Sequence, residues 1–568
     1  MPRRSKIPRL LEDITNIRED LSDTEDDFDP AENSGDQSET KDVCVSSDSN
    51  SEEENMLNVR RRRRILRLSS SSDESDCQQT EIANDGTVWT KIKAGSNPGR
   101  RSINTIFKGV IGPTGYAKRN IVKGTVSSAF LLIINRQIID HIRICTKAEA
   151  YRVLGEKWDL SQEKFYAFLA ILYARGAYET KNIKLSYLWS EKWGPSFFRN
   201  TMSRKEFTDI LRFIRFDKKN ERSVRLQTDK FVLISHVWNS FIENSQNCYV
   251  PGPNITIDEQ LFPTKARCRF TQYMPNKPNK FGIKFWLASD LQTKYIINGF
   301  PYLGKDETRQ SSIPLSEFVV LKLIEQYAGA GRNVTTDNFF TSKSLALKLL
   351  EKRTTLVGTI RGNKRELPEL AKQKKDNLPR FSSQIYKTDN CTLTIYKSKA
   401  TKKVLLLSTK HTSVSIEKSK KQLPETIAFY NKTKCGVDMT DQMARKYSVK
   451  SGSRRWPLQV FFNILDLAAI NAWVLYKETT GENISRKDFL FQLAEELSTE
   501  CKDPSELQNL NDLFTTPEIC NIRKTCQIGF CNENKTINIC AGCKKHVCGK
   551  CTLKKLIICK KCDDTNNK

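Results

Sequence analysis

The chain has 568 residues, 93 Lys+Arg against 66 Asp+Glu and 38% hydrophobic residues, enough at about 100–200 residues per domain for several domains with cores of their own. No apolar run approaches the roughly 20 residues needed to cross a bilayer, and the start, Met1-Pro-Arg-Arg-Ser-Lys-Ile-Pro8, lacks the apolar stretch of a signal peptide, so neither a membrane nor a secreted protein is expected. The net charge of +27 conceals a division: residues 1–59 carry −11 and the remainder +38, which points to a polyanionic partner, most simply nucleic acid, over a merely lysine-rich surface.

Residues 1–88 are rich in Ser, Asp, Glu and Asn and read as a disordered tail. Within it, Arg60–Arg64 could serve as a nuclear-import signal or a phosphate-binding arm, and Ser72 and Ser75 beside acids could accept phosphate. Residues 89–250 show helical patterning. Ser161-Gln-Glu precedes Phe165, Phe168, Leu169 and Leu172, and Ser203-Arg-Lys-Glu206 is a capping box ahead of Phe207, Ile210 and Leu211. The aromatic residues there read as core.

From 251 to 360 the period changes to two. Strands are predicted at Asn254–Asp258, at Phe281–Leu287 and from Tyr295, with Asp290–Thr293 as a turn. A helix from Pro314 through Ile324 ends at Gly329 or Gly331, and a strand at Arg332–Asp337 precedes a helix at Leu345–Leu350. The order β-β-β-α-β-α, with Asp at the ends of the first and fourth strands, outlines an α/β, RNase H-like core. Residues 361–421 read as a Lys/Arg-rich, β-rich insertion, and 422–447 as the return to the core on a helix bearing Asp438 and Asp441 on one face. Residues 448–519 complete the helical domain, with Trp456–Tyr476 a buried helix, and 520–568 are cysteine-rich.

Cleaving or joining a phosphodiester needs an activated oxygen nucleophile and a stabilised leaving oxygen, which two Mg²⁺ ions held by carboxylates can supply. Asp258, Asp337 and Asp438 could hold them, although three Asp among 66 acids are not specific alone. Four His with no H-E-x-x-H argue against a zinc hydrolase, and the lack of G-x-x-x-x-G-K-[ST] against a nucleotide cofactor.

Six segments give context: Ile257-Asp-Glu-Gln-Leu-Phe262, Tyr273-Met-Pro-Asn-Lys-Pro278, Phe281-Gly-Ile-Lys284, Thr336-Asp-Asn-Phe-Phe-Thr-Ser342, Val357–Pro368 and Gly436-Val-Asp-Met-Thr-Asp-Gln442. In this order they closely resemble the piggyBac family of DNA transposases. The resemblance implies cut-and-paste transposition at TTAA sites through hairpin intermediates. It also implies a flanking helical dimerisation and DNA-binding domain, and hence a homodimer on double-stranded DNA, both terminal inverted repeats and target, in the nucleus. Carried over by position, Asp258, Asp337 and Asp438 match the catalytic carboxylates, Asp441 an auxiliary acid, and Arg361, Lys364 and Arg365 a basic stretch that meets DNA. Trp456, within Arg454-Arg455-Trp456-Pro457, matches an aromatic near the bent target, the plainer reading being a packed ring at a helix start.

The terminal cysteines run Cys526-x4-Cys531-x8-Cys540-x2-Cys543-x4-Cys548-x2-Cys551-x7-Cys559-x2-Cys562. Four close pairs suggest two tetrahedral Zn²⁺ sites per chain, cross-braced as pairs one with three and two with four. The family usually has His at the position of Cys551 and a closer first pair, and His546 could stand in for Cys548. Two other classes compete with an active transposase: a domesticated DNA-binding protein that no longer moves DNA, and an interaction protein whose function lies in the zinc module.

Overall fold

A computed structural model describes residues 79–95, then 106–499 apart from 276, 278, 305–308, 310–311 and 374–375, and in the cysteine-rich region 524–528, 531, 534–536 and 546–551. Two units are defined by their internal contacts, Met1–Cys501 and Lys502–Lys568.

The first unit opens with a hairpin, β1 (Thr80–Ile82) and β2 (Val88–Ile92). Helices follow: α1 (Val126–Ile133), α2 (Arg136–Leu154), α3 (Gln162–Ala177), α4 (Arg204–Phe213) and α5 (Ser235–Cys248). The expected caps are present. Ser161 accepts from the Lys164 N–H, while Ser203 accepts from the Glu206 N–H at 3.2 Å and donates to the Glu206 carboxylate at 2.9 Å. The start of α1 is capped from a distance: Glu496 accepts from the N–H groups of Val126 and Ser127 at 3.0 and 2.7 Å.

The central segment supplies β3 (Asn254–Pro263), β4 (Thr271–Tyr273), β5 (Phe281–Asp290), β6 (Ile296–Pro301), α6 (Leu315–Ile324), β7 (Asn333–Thr336), α7 (Lys343–Glu351) and β8 (Thr355–Thr359). Next come β9 (Ser383–Lys387), β10 (Thr392–Lys399), β11 (Lys402–Ser408), α8 (Glu425–Thr433), α9 (Gly436–Lys446), α10 (Trp456–Thr480) and α11 (Arg486–Thr499). The sheet runs β1-β2-β9-β10-β11-β8-β7-β3-β5-β4, with β6 also pairing β5. Only β7 pairs in parallel with its neighbours, β3 on one side and β8 on the other; the remaining pairings are antiparallel. Asp290 ties the expected turn, accepting from the N–H and hydroxyl of Thr293.

Two boundaries differ from the sequence reading. Residues 361–421 are no separate insertion domain, because β9, β10 and β11 extend the same sheet outward from β8 through the pairing Val357↔Ser408. Residues 80–92, divided between a tail and a helical domain, are instead the β1–β2 hairpin, which pairs β9 at Ile385↔Ile92. Trp89, fully buried, donates its indole N–H to the Glu366 carbonyl at 2.8 Å. A five-residue strand whose partner lies almost 300 residues away leaves little local signal.

Helix α10 is the buried helix the sequence led one to expect. Its 25 residues are long and apolar enough, by length and composition, to cross a membrane, yet 94% of its most apolar window is buried inside the protein. It packs on α1, and Tyr173 of α3 donates to its Leu465 carbonyl at 3.0 Å. Its buried Asn471 acts as one more peptide unit on the sheet, accepting from Ile296 N–H at 2.8 Å and donating to Ile296 C=O at 2.9 Å. That bond falls where the β5–β6 register shifts between Ala288 and Ser289.

Candidate active site

Alternation along β3 places Thr256, Asp258 and Gln260 on one face, and α9 covers that face. The helix comes close because its first residue is Gly436: a Cβ there would lie 2.5 Å from Thr256 Oγ1 and 2.8 Å from Ser289 Oγ. The preceding turn is pinned by Thr256 Oγ1 donating to Thr433 C=O at 2.8 Å. Asp438 and Asp441 thus arrive over β3 from the first turns of α9.

Asp337 comes from the neighbouring strand. Ile257 and Thr336 are register partners in the parallel β3–β7 pair, so Asp258 and Asp337 follow side by side. The chain turns at Asp337, whose carboxylate accepts from Phe339 N–H at 2.9 Å and whose carbonyl accepts from the Thr341 hydroxyl at 2.7 Å. Gly358 of β8 permits this turn, since a Cβ there would meet Thr341 Oγ1 at 2.2 Å and Thr336 Oγ1 at 2.7 Å.

The electrostatics are those of crowded carboxylates. Burial, followed by the charges of Glu259, Asp337 and Asp438, holds the Asp258 carboxyl well above the usual range. Burial and Glu259 push Asp337 up to about 6 against the hydrogen bonds from Phe339 and Phe340 and the charge of Arg361. Asp258 and Asp337 are half-buried, and Asp438 is exposed. A hard divalent cation is what such acceptors lack, so the donor set fits Mg²⁺. The three carboxylates do not converge on a single point: among the described residues, the only ligand group of three or more with all donor atoms within 4.8 Å of one another is a set of cysteines.

Asp441 is engaged otherwise. It pairs with Arg445 at 2.6 Å and accepts from Gln260 Nε2 at 3.1 Å, while Asn463 of α10 donates to Gln260 Oε1 at 2.9 Å. This chain of satisfied polar groups fixes α9 between β3 and α10. Arg361 is nearer the carboxylates than a separate basic strip implied: its Nε donates to Asn338 Oδ1 at 3.2 Å. Lys364 and Arg365 follow in the turn after it, Lys364 half-buried and Arg365 exposed.

The Arg-Arg-Trp segment divides. Arg454 is exposed. Arg455 caps the C-terminus of α4, donating to the carbonyls of Leu211, Arg212 and Ile214, and burial lowers it to about 9. Trp456 stacks on Phe231 at 5.6 Å and meets Phe270 edge-on at 5.1 Å, so its ring is packed as the plainer reading held. Sequence reasoning gave no role to Lys284, though it lies in a quoted motif. Its ammonium sits 3.9 Å over Trp286, 3.8 Å from Glu259, and burial lowers its pKa despite the carboxylates nearby. A lone Lys within a period-two apolar strand was the signal.

In the second unit, Cys526, Cys531, Cys548 and Cys551 have their sulfurs within 4.8 Å of one another, which is the pairing of first with third. Cys548, with its N–H directed to Cys526 Sγ at 3.4 Å, occupies the position that His546 could have taken. Cys540, Cys543, Cys559 and Cys562 lie outside the described residues, as does the Arg60–Arg64 run.

A family model described as transposase IS4 matches residues 125–473, which include every one of these carboxylates. The fold is therefore that of a transposase. A solved piggyBac transposase synaptic complex with hairpin DNA superposes with a TM-score of 0.65 at 30% identity, over 80% of this chain and all of that one. Human piggyBac transposable element-derived protein 3 is 28% identical over 251 residues, 41% of this chain and 42% of the relative. Human piggyBac transposable element-derived protein 2 is 24% identical over 217 residues, 35% of this chain and 36% of the relative. The chain thus spans well under half the length of these curated relatives. It belongs to the piggyBac family of transposases.

Proposed function

We propose that this chain is a cut-and-paste transposase that excises and inserts a piggyBac-like element at TTAA sites. The observation that carries the reading is the placement of Asp258 and Asp337 side by side on adjacent parallel strands, with Asp438 on a helix pressed onto one of them. The β5-β3-β7-β8 order, with Asp258 inside β3 and Asp337 directly after β7, supports an RNase H-like core.

Two Mg²⁺ held by Asp258, Asp337 and Asp438 would activate the attacking oxygen and stabilise the leaving one. The protein's own groups do the positioning. The Asn463–Gln260–Asp441–Arg445 chain sets the height of α9, so Asp441 acts through Asp438. Arg361, fixed to Asn338, brings a cation beside the acids for a DNA phosphate, and Lys364, Arg365 and Arg454 extend that charge. Zn²⁺ at Cys526, Cys531, Cys548 and Cys551, and a second at Cys540, Cys543, Cys559 and Cys562, would frame a module that reads the element ends. A homodimer acting in the nucleus completes the reading, with Arg60–Arg64 as import signal.

The second reading is a transposase-derived DNA-binding protein without transposition. In its favour, the human relatives named above are element-derived proteins, and another match is a chimeric ERCC6-PGBD3 protein. The intact acids weigh against it. An in vitro excision assay with cognate ends separates the two: Asp337→Asn should bind ends and release no element. Normal excision by that variant would overturn the assignment.

A further inference from the structure

Between Gln260 and Ser289 the chain holds six basic residues, Lys265, Arg267, Arg269, Lys277, Lys280 and Lys284, and not one Asp or Glu. At the edge of the sheet within this stretch, the cross-strand partners Tyr273 and Phe281 are each 56% exposed. Their ring centroids lie 4.8 Å apart at 43°. The root of this hairpin is rigid: Phe270 is buried against Phe231 and Trp456, and the Lys450 ammonium donates to the Pro263 carbonyl. The charge of Lys277, toward its far end, offsets part of the rise in pKa of both Asp258 and Asp441.

Two rings held open to water in a stretch with six basic residues and no acid of its own match a partner that is anionic and carries flat apolar faces. A nucleobase on a phosphate backbone has both properties, and a base becomes available to an aromatic side chain only when it leaves the helical stack. A second protein chain would also cover exposed rings, but the six basic residues of this stretch favour a polyanion. Along β5, Phe281 lies six residues from Leu287, the register partner of Asp258, a span of about 20 Å or roughly six nucleotides.

We propose that Tyr273 and Phe281 form a stacking platform for a base displaced from the DNA helix within a few nucleotides of the cut. This rests on the transposase reading. It also gives packed Trp456 a purpose, since Trp456 holds Phe270 and hence the hairpin's root.

The test is competition binding by the full-length chain, without divalent metal, to a duplex with a central TTAA. The duplex is either fully paired or carries one mispaired step within six base pairs of that centre. The unmodified chain should prefer the mispaired duplex by roughly tenfold, the scale of one base–aromatic stack. Tyr273→Ala with Phe281→Ala should remove the preference, and Tyr273→Phe should keep it. A preference surviving the double substitution overturns the platform. So does loss of self-association in the double variant, by sedimentation, with the preference intact. If the unmodified chain binds neither duplex, the transposase reading falls and takes the platform with it.

Discussion

Asp258 carries the largest electrostatic cost in the site, because burial and three neighbouring acids all oppose its charge. Asp337, raised to about 6, shares that cost. Divalent metal must therefore displace protons. Calorimetric titration of Mg²⁺ near pH 6, in buffers of differing ionisation heat, should show proton release that shrinks toward pH 8 and is reduced in Asp337→Asn. Release independent of Asp337 would place the metal elsewhere. A second acid, Asp466 of α10, is buried and pushed up to about 7, with Ser448 Oγ donating at 2.5 Å and Val449 N–H at 2.9 Å. Folding favours its neutral form. Its contribution is full below the ordinary carboxylate value and is lost as pH rises through about 7. Stability of Asp466→Asn relative to the parent should accordingly rise between pH 4 and pH 7, by up to about 4 kcal/mol for three pKa units. Urea unfolding at both pH values measures it, and a flat difference would show that the carboxyl is not neutral when folded.

At the scale of elements, the catalytic geometry depends on close approaches that only small residues allow. Gly358→Ala puts a methyl on Thr341 and Thr336 beneath the Asp337 turn and should cost about 1–3 kcal/mol. Gly436→Ala creates a similar clash with Thr256 but regains up to about 1 kcal/mol of helix propensity. It should therefore be milder in thermal unfolding while lowering excision, because α9 must lift. Equal stability loss with full excision would mean that the height of α9 does not matter. Asn471→Ala leaves the buried N–H and C=O of Ile296 unpaired and should cost about 3 kcal/mol, more than most single surface changes. Chemical denaturation of this variant is the check.

For the molecule as a whole, the two units should separate in their dependence on metal. The unit Lys502–Lys568 is too short for an adequate apolar core, and four of its cysteines already converge. Native mass spectrometry should find two Zn²⁺ per chain. A strong chelator should then abolish recognition of element ends and leave the thermal transition of the first unit where it was. One bound zinc would confine metal to Cys526, Cys531, Cys548 and Cys551.

Much of this protein is written locally. Period two in Phe281–Leu287, the Ser203–Glu206 capping box and the Asp290–Thr293 turn each depend on neighbours a few residues away, and each is found where the sequence puts it. The same holds for the pairing of Cys526 and Cys531 with Cys548 and Cys551, which spacing and tetrahedral chemistry restrict. What needed the tertiary structure involves partners distant in the chain. Val88–Ile92 becomes a strand because β9 offers it an edge, and residues 383–408 join the central sheet because β8 has a free side. Arg455 looked like a phosphate ligand until the open carbonyls of α4 came within its reach. Trp456 could be a DNA contact or a packed ring, and Phe231 and Phe270 pack against it. A cation or an aromatic ring satisfies whichever acceptor or apolar surface the fold delivers, and composition alone does not reveal which one arrives.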